Sequence, residues 1–111
     1  MVKLLEFQTI LNDGKVDYVR FSPRYSVVCS VGKAPFNGTV DVVYCPQDKL
    51  IELESFEKAI HSVAMDEFTV ESFCAFIYDS ILDKLGGVEL TVDVYAETIR
   101  HAPVMAQKSK R

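Results

Sequence analysis

The spacing of apolar residues changes period along the chain, and each change marks a new element. Lys3 to Leu11 and Lys15 to Phe21 read as strands flanking Asn12-Asp13-Gly14, a sequence that tolerates positive φ and commonly closes a hairpin. Thr39-Val40-Asp41-Val42-Val43-Tyr44-Cys45 is rich in β-branched residues and predicts a strand, ended by Pro46-Gln47-Asp48. From Ser55 the period lengthens: Phe56, Ile60 and Val63 recur at helical steps, with Glu54, Glu57 and Lys58 on the wet side. Thr69 then caps a second helix whose buried stripe is Phe73, Phe76, Ile77 and Ile81, and Gly86-Gly87 stops it. Val88 to Tyr95 alternates at period two, as a half-buried strand does. A last strand over Ile99 to Met105 has to place Pro103 at an edge, a bulge or a strand end.

The order strand, strand, helix, helix, strand, strand predicts an α+β fold, ββααββ. Short connections make the four strands antiparallel, with both helices on one face of the sheet. The other face and the open edges call for a partner, which predicts a homo-oligomer joined through its sheet edges. One domain spans 1–111, with 1–15 as an N-terminal extension or extra strand and 106–111 as a disordered tail.

Composition narrows the class. A chain of 111 residues, 49% hydrophobic and 25% charged, buries one modest core. Its three cysteines, Cys29, Cys45 and Cys74, are odd in number and far apart, so neither a disulfide framework nor a zinc site is indicated. A reducing cytoplasm is the expected compartment. The start, Met1-Val2-Lys3-Leu4-Leu5-Glu6, is charged too early for a secretory signal, and no apolar run approaches the roughly 20 residues that span a bilayer. The net charge of −4 disfavours non-specific binding to phosphate backbones. The basic run Lys108, Lys110 and Arg111 reads as a solvated, frayed terminus or a nucleic-acid contact.

The residue with the clearest chemical potential is Cys29. It falls in a segment punctuated by Pro23, Gly32 and Pro35, which reads as a loop. A thiol reacts according to its exposure and thiolate fraction, and both are greater in a loop than in a buried strand. A small apolar filler is the alternative role. His61 and His101 stand alone, without the paired spacing of metal ligands, so no metal is expected. Gly86-Gly87 is a helix stop and not a phosphate cradle.

Pro23-x-Tyr25-Ser26-x-x-Cys29-x-Val31, then Pro35 and Thr39-Val40, resembles the 7-cyano-7-deazaguanine reductase (QueF) family, whose pattern is Pro-x-Phe-Thr-x-x-Cys-Pro-x-Thr-Gly-Gln-Pro-Asp-Phe. The similarity continues through Tyr44-x-Pro46, Leu50-Ile51-Glu52-Leu53-x-Ser55, Ser62, Glu71 and Asp79, and ends near Arg100. The resemblance implies the tunnelling fold (T-fold), in which subunits join through their sheets into a barrel and sites form at subunit interfaces. It also implies that Cys29 attacks the nitrile carbon of 7-cyano-7-deazaguanine to give a thioimide, and that Glu71 grips the base edge with two parallel N–H bonds. Glu71 is otherwise a dipole-favourable acid in a first helical turn. Ser55 and Glu52 fall near the family's ligand site, or are a helix cap and a surface charge.

The departures are specific. Phe36 stands where the family has its loop aspartate, and Val70 where a histidine precedes the glutamate. Glu54 and Glu57 occupy the lysine positions of the family's NADPH motif, where carboxylates repel the cofactor's phosphates. No cofactor is therefore expected. A shorter branch, the QueF-like amidinotransferases, resembles this chain in length and lacks that motif; it adds ammonia to the thioimide, giving an amidine on a 7-deazaguanine carried by nucleic acid. The ligand implied is a 7-deazaguanine-type base, free or in nucleic acid. Asn37, His61, His101, Asp66 and Glu67 are candidate substitutes for the missing proton carriers. Three functions follow: nitrile amidination through Cys29, NADPH-dependent reduction to 7-aminomethyl-7-deazaguanine in the queuosine pathway, and non-catalytic binding of a purine-like ligand.

Overall fold

A computed structural model describes residues 4–64, 66–97 and 102–110. Its backbone follows β1 (Thr9–Leu11), β2 (Val19–Phe21), β3 (Arg24–Cys29), β4 (Pro35–Cys45), β5 (Lys49–Ile51), α1 (Leu53–Ser62), β6 (Glu67–Phe68), α2 (Val70–Leu85), β7 (Glu89–Glu97) and β8 (Val104–Lys110). The main sheet runs β6-β3-β4-β7-β8, and β2 joins β4 beyond the end of β3. Its long pairs are antiparallel: Val40 faces Val94, and Leu90 faces Lys110. Among the described residues only the two-residue β6 runs parallel to its neighbour, β3.

One face of this sheet makes the core. Phe36, Val40, Val42 and Tyr44 of β4 and Leu90, Val92, Val94 and Ala96 of β7 are buried, matching the period-two pattern of a sheet covered on one side. Over that face lies α2, burying Phe73, Cys74, Ile77 and Ile81. Its start is a capping box between Thr69 and Ser72, and Gly86 ends it at φ 77. The shorter α1 covers the β2 end of the same face, where Phe56 meets Phe21 at 5.3 Å and Phe7 at 5.0 Å, both edge-on. Two helices on one face of a mostly antiparallel sheet is the arrangement that the apolar spacing predicts, but among the described residues that sheet has six strands rather than four, because β3 and β6 extend it where a loop was expected.

Four expectations are corrected. Asn12-Asp13-Gly14 does turn the chain, but the strands on either side do not pair: β1 pairs with β5, and β2 with β4. The reason is Asn12, whose side chain donates to Val16 O (3.0 Å) and Gln47 O (2.9 Å) and accepts from Val16 N. Its amide also donates to Asp48 O, so this turn is fastened to the β4–β5 turn. Thr9–Leu11 thus pair with β5 and stand apart from the main sheet. Next, α1 begins before Ser55, because Glu52 is its N-cap and accepts from the amides of Glu54 and Ser55 at 2.9 Å each.

The loop expected around Cys29 is a hairpin, with β3 reaching Cys29 and β4 starting at Pro35, well before Thr39. Finally, the last strand is Val104–Lys110, so residues 106–110 of the expected tail are paired with β7; Ile99, Arg100 and His101 lie outside the described residues. Lys108 is drawn in by Asp79 (3.3 Å) and by the Tyr78 ring 4.8 Å away. Among the described residues no helix is long and apolar enough to cross a membrane.

Candidate functional site

Cys29 ends β3 because the chain turns back on it at once. Its amide donates to Ala34 O at 2.8 Å, and its carbonyl accepts from Lys33 N at 2.9 Å. The turn is closed by Lys33 in the left-handed region, φ 60. Inside it the Gly32 amide donates to Cys29 Sγ at 3.4 Å, a contact that strengthens as the sulfur gains negative charge.

The turn is tied to the start of α2. The amide of Val28 donates to Asp66 O (3.0 Å) and that of Ser30 to Phe68 O (3.0 Å), bracketing Cys29. Lys33 Nζ also meets Glu67 Oε1 at 2.5 Å. Thr69 follows directly as the cap, so the first turn of α2, with Val70 and Glu71, is carried to the hairpin tip. Beneath, Phe68 packs on Phe73 (5.0 Å) and Phe73 on Tyr25 (4.6 Å), which fixes β3 and α2 against each other.

Between them opens a pocket of about 340 Å³ that Cys29 and Glu71 both line. Its remaining wall is mostly apolar and includes Val31, Phe36, Val70 and Val104. Phe36 and Val70, the two departures from the family pattern, thus both face this pocket. A larger hollow of about 640 Å³ at the Asn12 turn is lined by no thiol, hydroxyl or imidazole.

The other sulfurs belong elsewhere. Burial pushes the Cys74 thiol up to about 11, and its Sγ sits 3.5 Å from Val92 O. The Cys45 thiol is also raised, by burial first and then by Glu89, whose Oε2 is 3.6 Å away. Both shifts favour the protonated thiol over the reactive thiolate. Asn37, His61, Asp66 and Glu67 do not line the Cys29 pocket, and His101 lies outside the described residues. Among the described residues no cluster of His, Cys, Asp or Glu is suited to hold a metal ion.

Glu52 and Ser55 are not brought to Cys29 within this chain. The Glu52 carboxylate serves as the α1 cap, and the amides of Ser55 and Glu54 hold it below the usual carboxylate range. Ser55 Oγ accepts from Gln8 N at 2.9 Å and donates to Glu52 O at 2.9 Å. What the sequence reading missed was the wall of the pocket and the strand β6 that holds it in place. Glu67-Phe68 is too short to leave a periodic signal.

No family model matches the chain, and no curated protein sequence does. Among solved structures it is similar to the archaeosine synthase QueF-Like in its apo form, with a TM-score of 0.76 and 21% identity. The match covers 84% of this chain and 92% of that one. The chain therefore has the fold of a QueF-like protein.

Proposed function

We propose that the protein processes the nitrile of a 7-cyano-7-deazaguanine base through Cys29, with ammonia as the second reactant and an amidine as the product. The observation that carries this reading is the shared pocket: a thiol and a carboxylate from different elements open into one cavity of about 340 Å³. That cavity is of the size that takes a small flat ligand. Cys29 Sγ forms a bond to the nitrile carbon while the thiol proton passes to the nitrile nitrogen, giving a neutral thioimide. Ammonia then adds to the same carbon, the C–S bond breaks, and sulfur recovers its proton. The carboxylate of Glu71 grips the amino-pyrimidinone edge on the far side of the ring through paired, charge-assisted hydrogen bonds.

The shared fold with a protein named an archaeosine synthase supports a role in 7-deazaguanine modification. We further infer the tunnelling-fold assembly, a barrel of identical copies joined through sheet edges such as β8. Sites completed between copies would let Glu52 and Ser55 of one subunit approach the pocket of the next. Reduction by NADPH is disfavoured by Glu54 and Glu57 on α1, both exposed and acidic.

A second reading, a binder without chemistry, draws on the apolar residues Phe36 and Val70 in the pocket wall. Intact-protein mass spectrometry after mixing with 7-cyano-7-deazaguanine separates the two. A mass gain equal to the whole ligand, abolished in Cys29→Ala, supports the enzyme; saturable binding with no mass gain supports the binder.

A further inference from the structure

A sulfur that attacks a carbon and later leaves it carries negative charge at both moments, so a reacting thiol is served by a donor aimed at it. The carboxylate and imidazole of the family pattern are replaced here by Phe36 and Val70, whose side chains donate nothing. The backbone supplies a donor. Three residues on from the cysteine, the Gly32 amide reaches back across the hairpin turn and donates to Cys29 Sγ at 3.4 Å.

That amide is held in place before any ligand arrives. Cys29 N donates to Ala34 O at 2.8 Å and Lys33 N to Cys29 O at 2.9 Å, which fixes the cysteine's main chain at both ends. Val28 N and Ser30 N donate to Asp66 O and Phe68 O, each at 3.0 Å, and tie the residues on either side of it to the segment that leads into α2. Lys33 holds φ 60, a conformation that glycine adopts more readily, and its ammonium meets Glu67 Oε1. The peptide link after Gly32 is thereby fixed, and the link before it turns its N–H to the sulfur.

We propose that the backbone amide of Gly32 is a catalytic donor, stabilising the charge that the Cys29 sulfur carries on attack and again on departure. The inference rests on the nitrile reading and adds to it the group that serves the sulfur. As the S–C bond forms, the thiol proton goes to the nitrile nitrogen, and the amide faces the sulfur while that proton is in transit. After ammonia has added, the C–S bond breaks with its electron pair on sulfur, and the same N–H receives the thiolate until a proton returns to it. No oxidant or reductant enters. A hydrogen bond to a charged group contributes more than one to a neutral group, so this amide favours the thiolate over the thiol.

The test is a pH titration of the free protein with its glycines labelled with heavy nitrogen, which gives one amide signal for each of the five. The Gly32 amide proton is expected to move downfield with the same midpoint as the rate of Cys29 alkylation by iodoacetamide, and to stay in place in Cys29→Ala. Glu71 lines the same pocket and Lys33 and Glu67 close the hairpin, so midpoints are compared between proteins that keep all three. Gly32→Pro removes the N–H, whereas Gly32→Ala keeps it and places its Cβ with nothing within 4 Å. At neutral pH Gly32→Pro is expected to alkylate about tenfold more slowly than Gly32→Ala. Glycine signals elsewhere that match the wild type show that the sheet is intact in both. The inference is overturned if the Gly32 signal ignores the Cys29 titration, or if the two variants alkylate at the same rate with the same pH dependence. Failure of the nitrile reading looks different: 7-cyano-7-deazaguanine gives no mass gain with a protein whose Gly32 signal still follows Cys29.

Discussion

Lys33 Nζ lies 2.5 Å from Glu67 Oε1, joining the tip of the Cys29 hairpin to the strand that leads into α2. Both side chains are about half exposed or more, at 63% and 49%, so the pair contributes little stability of its own, of order 0–1 kcal/mol. The backbone of Lys33, at φ 60, carries a strain of similar size and opposite sign. Lys33→Gly relieves the strain while losing the ion pair, and its stability in urea is expected to stay within about 1 kcal/mol of wild type. Lys33→Val loses the pair and increases the strain, and is expected to cost about 1–2 kcal/mol.

Gly38 is required by a close approach of two strands. A Cβ built there would lie 1.8 Å from Tyr95 O, the same carbonyl that accepts from the Tyr25 hydroxyl. Gly38→Ala must push β4 and β7 apart at the end of the sheet that carries Cys29. A loss of about 2–4 kcal/mol by chemical denaturation is expected, typical of overpacking against backbone. A change below about 0.5 kcal/mol would show that the strands absorb the methyl group.

Asp41 gives the stability a pH dependence of known sign. It is nearly buried on the open face of the sheet and accepts from Arg20 Nε at 3.0 Å and Ser22 Oγ at 2.7 Å. Burial alone opposes its ionisation, but the hydrogen bonds from Arg20 and Ser22 and the charge of Arg20 outweigh it and hold the carboxyl below its ordinary value of 3.8. Its contribution is therefore complete above about pH 4 and is lost as pH falls through the lowered value. Melting temperatures of Asp41→Asn and wild type should differ most at neutral pH and converge in acid.

Phe73 anchors the floor of the site. It is fully buried and touches Tyr25 of β3 and Phe68 of β6. Phe73→Ala is expected to cost about 3–5 kcal/mol, which threatens the whole fold of a domain this size. Phe73→Leu, milder, should keep the fold and slow alkylation of Cys29 by iodoacetamide at neutral pH, because the hairpin and α2 lose their common support.

The helices were legible because their signals are local. Thr69 as cap and Gly86 as stop bound α2 at both ends, and its apolar stripe has the right period. The N-cap of α1 was harder, since glutamate is an unusual cap and Ser55 a common one. The strands were obscured wherever long-range partners override local pattern. Tyr25 and Val27 alternate correctly in β3, but Pro23, Gly32 and Pro35 crowd the segment and make it read as a loop. In β8 only Val104 and Ala106 are apolar and inward, and the next inward position is Lys108, which no hydrophobic count includes. Of the site, Cys29 stood out by its punctuation and Glu71 only through the family pattern. That Phe36 and Val70 line the pocket of the thiol required the register of β3 with β4 and the docking of β6, neither of which is a local property.

The most direct measurement is to locate the ligand on the chain: 7-cyano-7-deazaguanine is added across a range of concentrations and the modified peptides are mapped by mass. The account predicts one adduct, on the peptide containing Cys29, with half-saturation raised about tenfold by Glu71→Gln because one charge-assisted grip on the base edge is lost. An adduct on Cys45 or Cys74, or a Glu71→Gln titration that overlays the wild type, would contradict it.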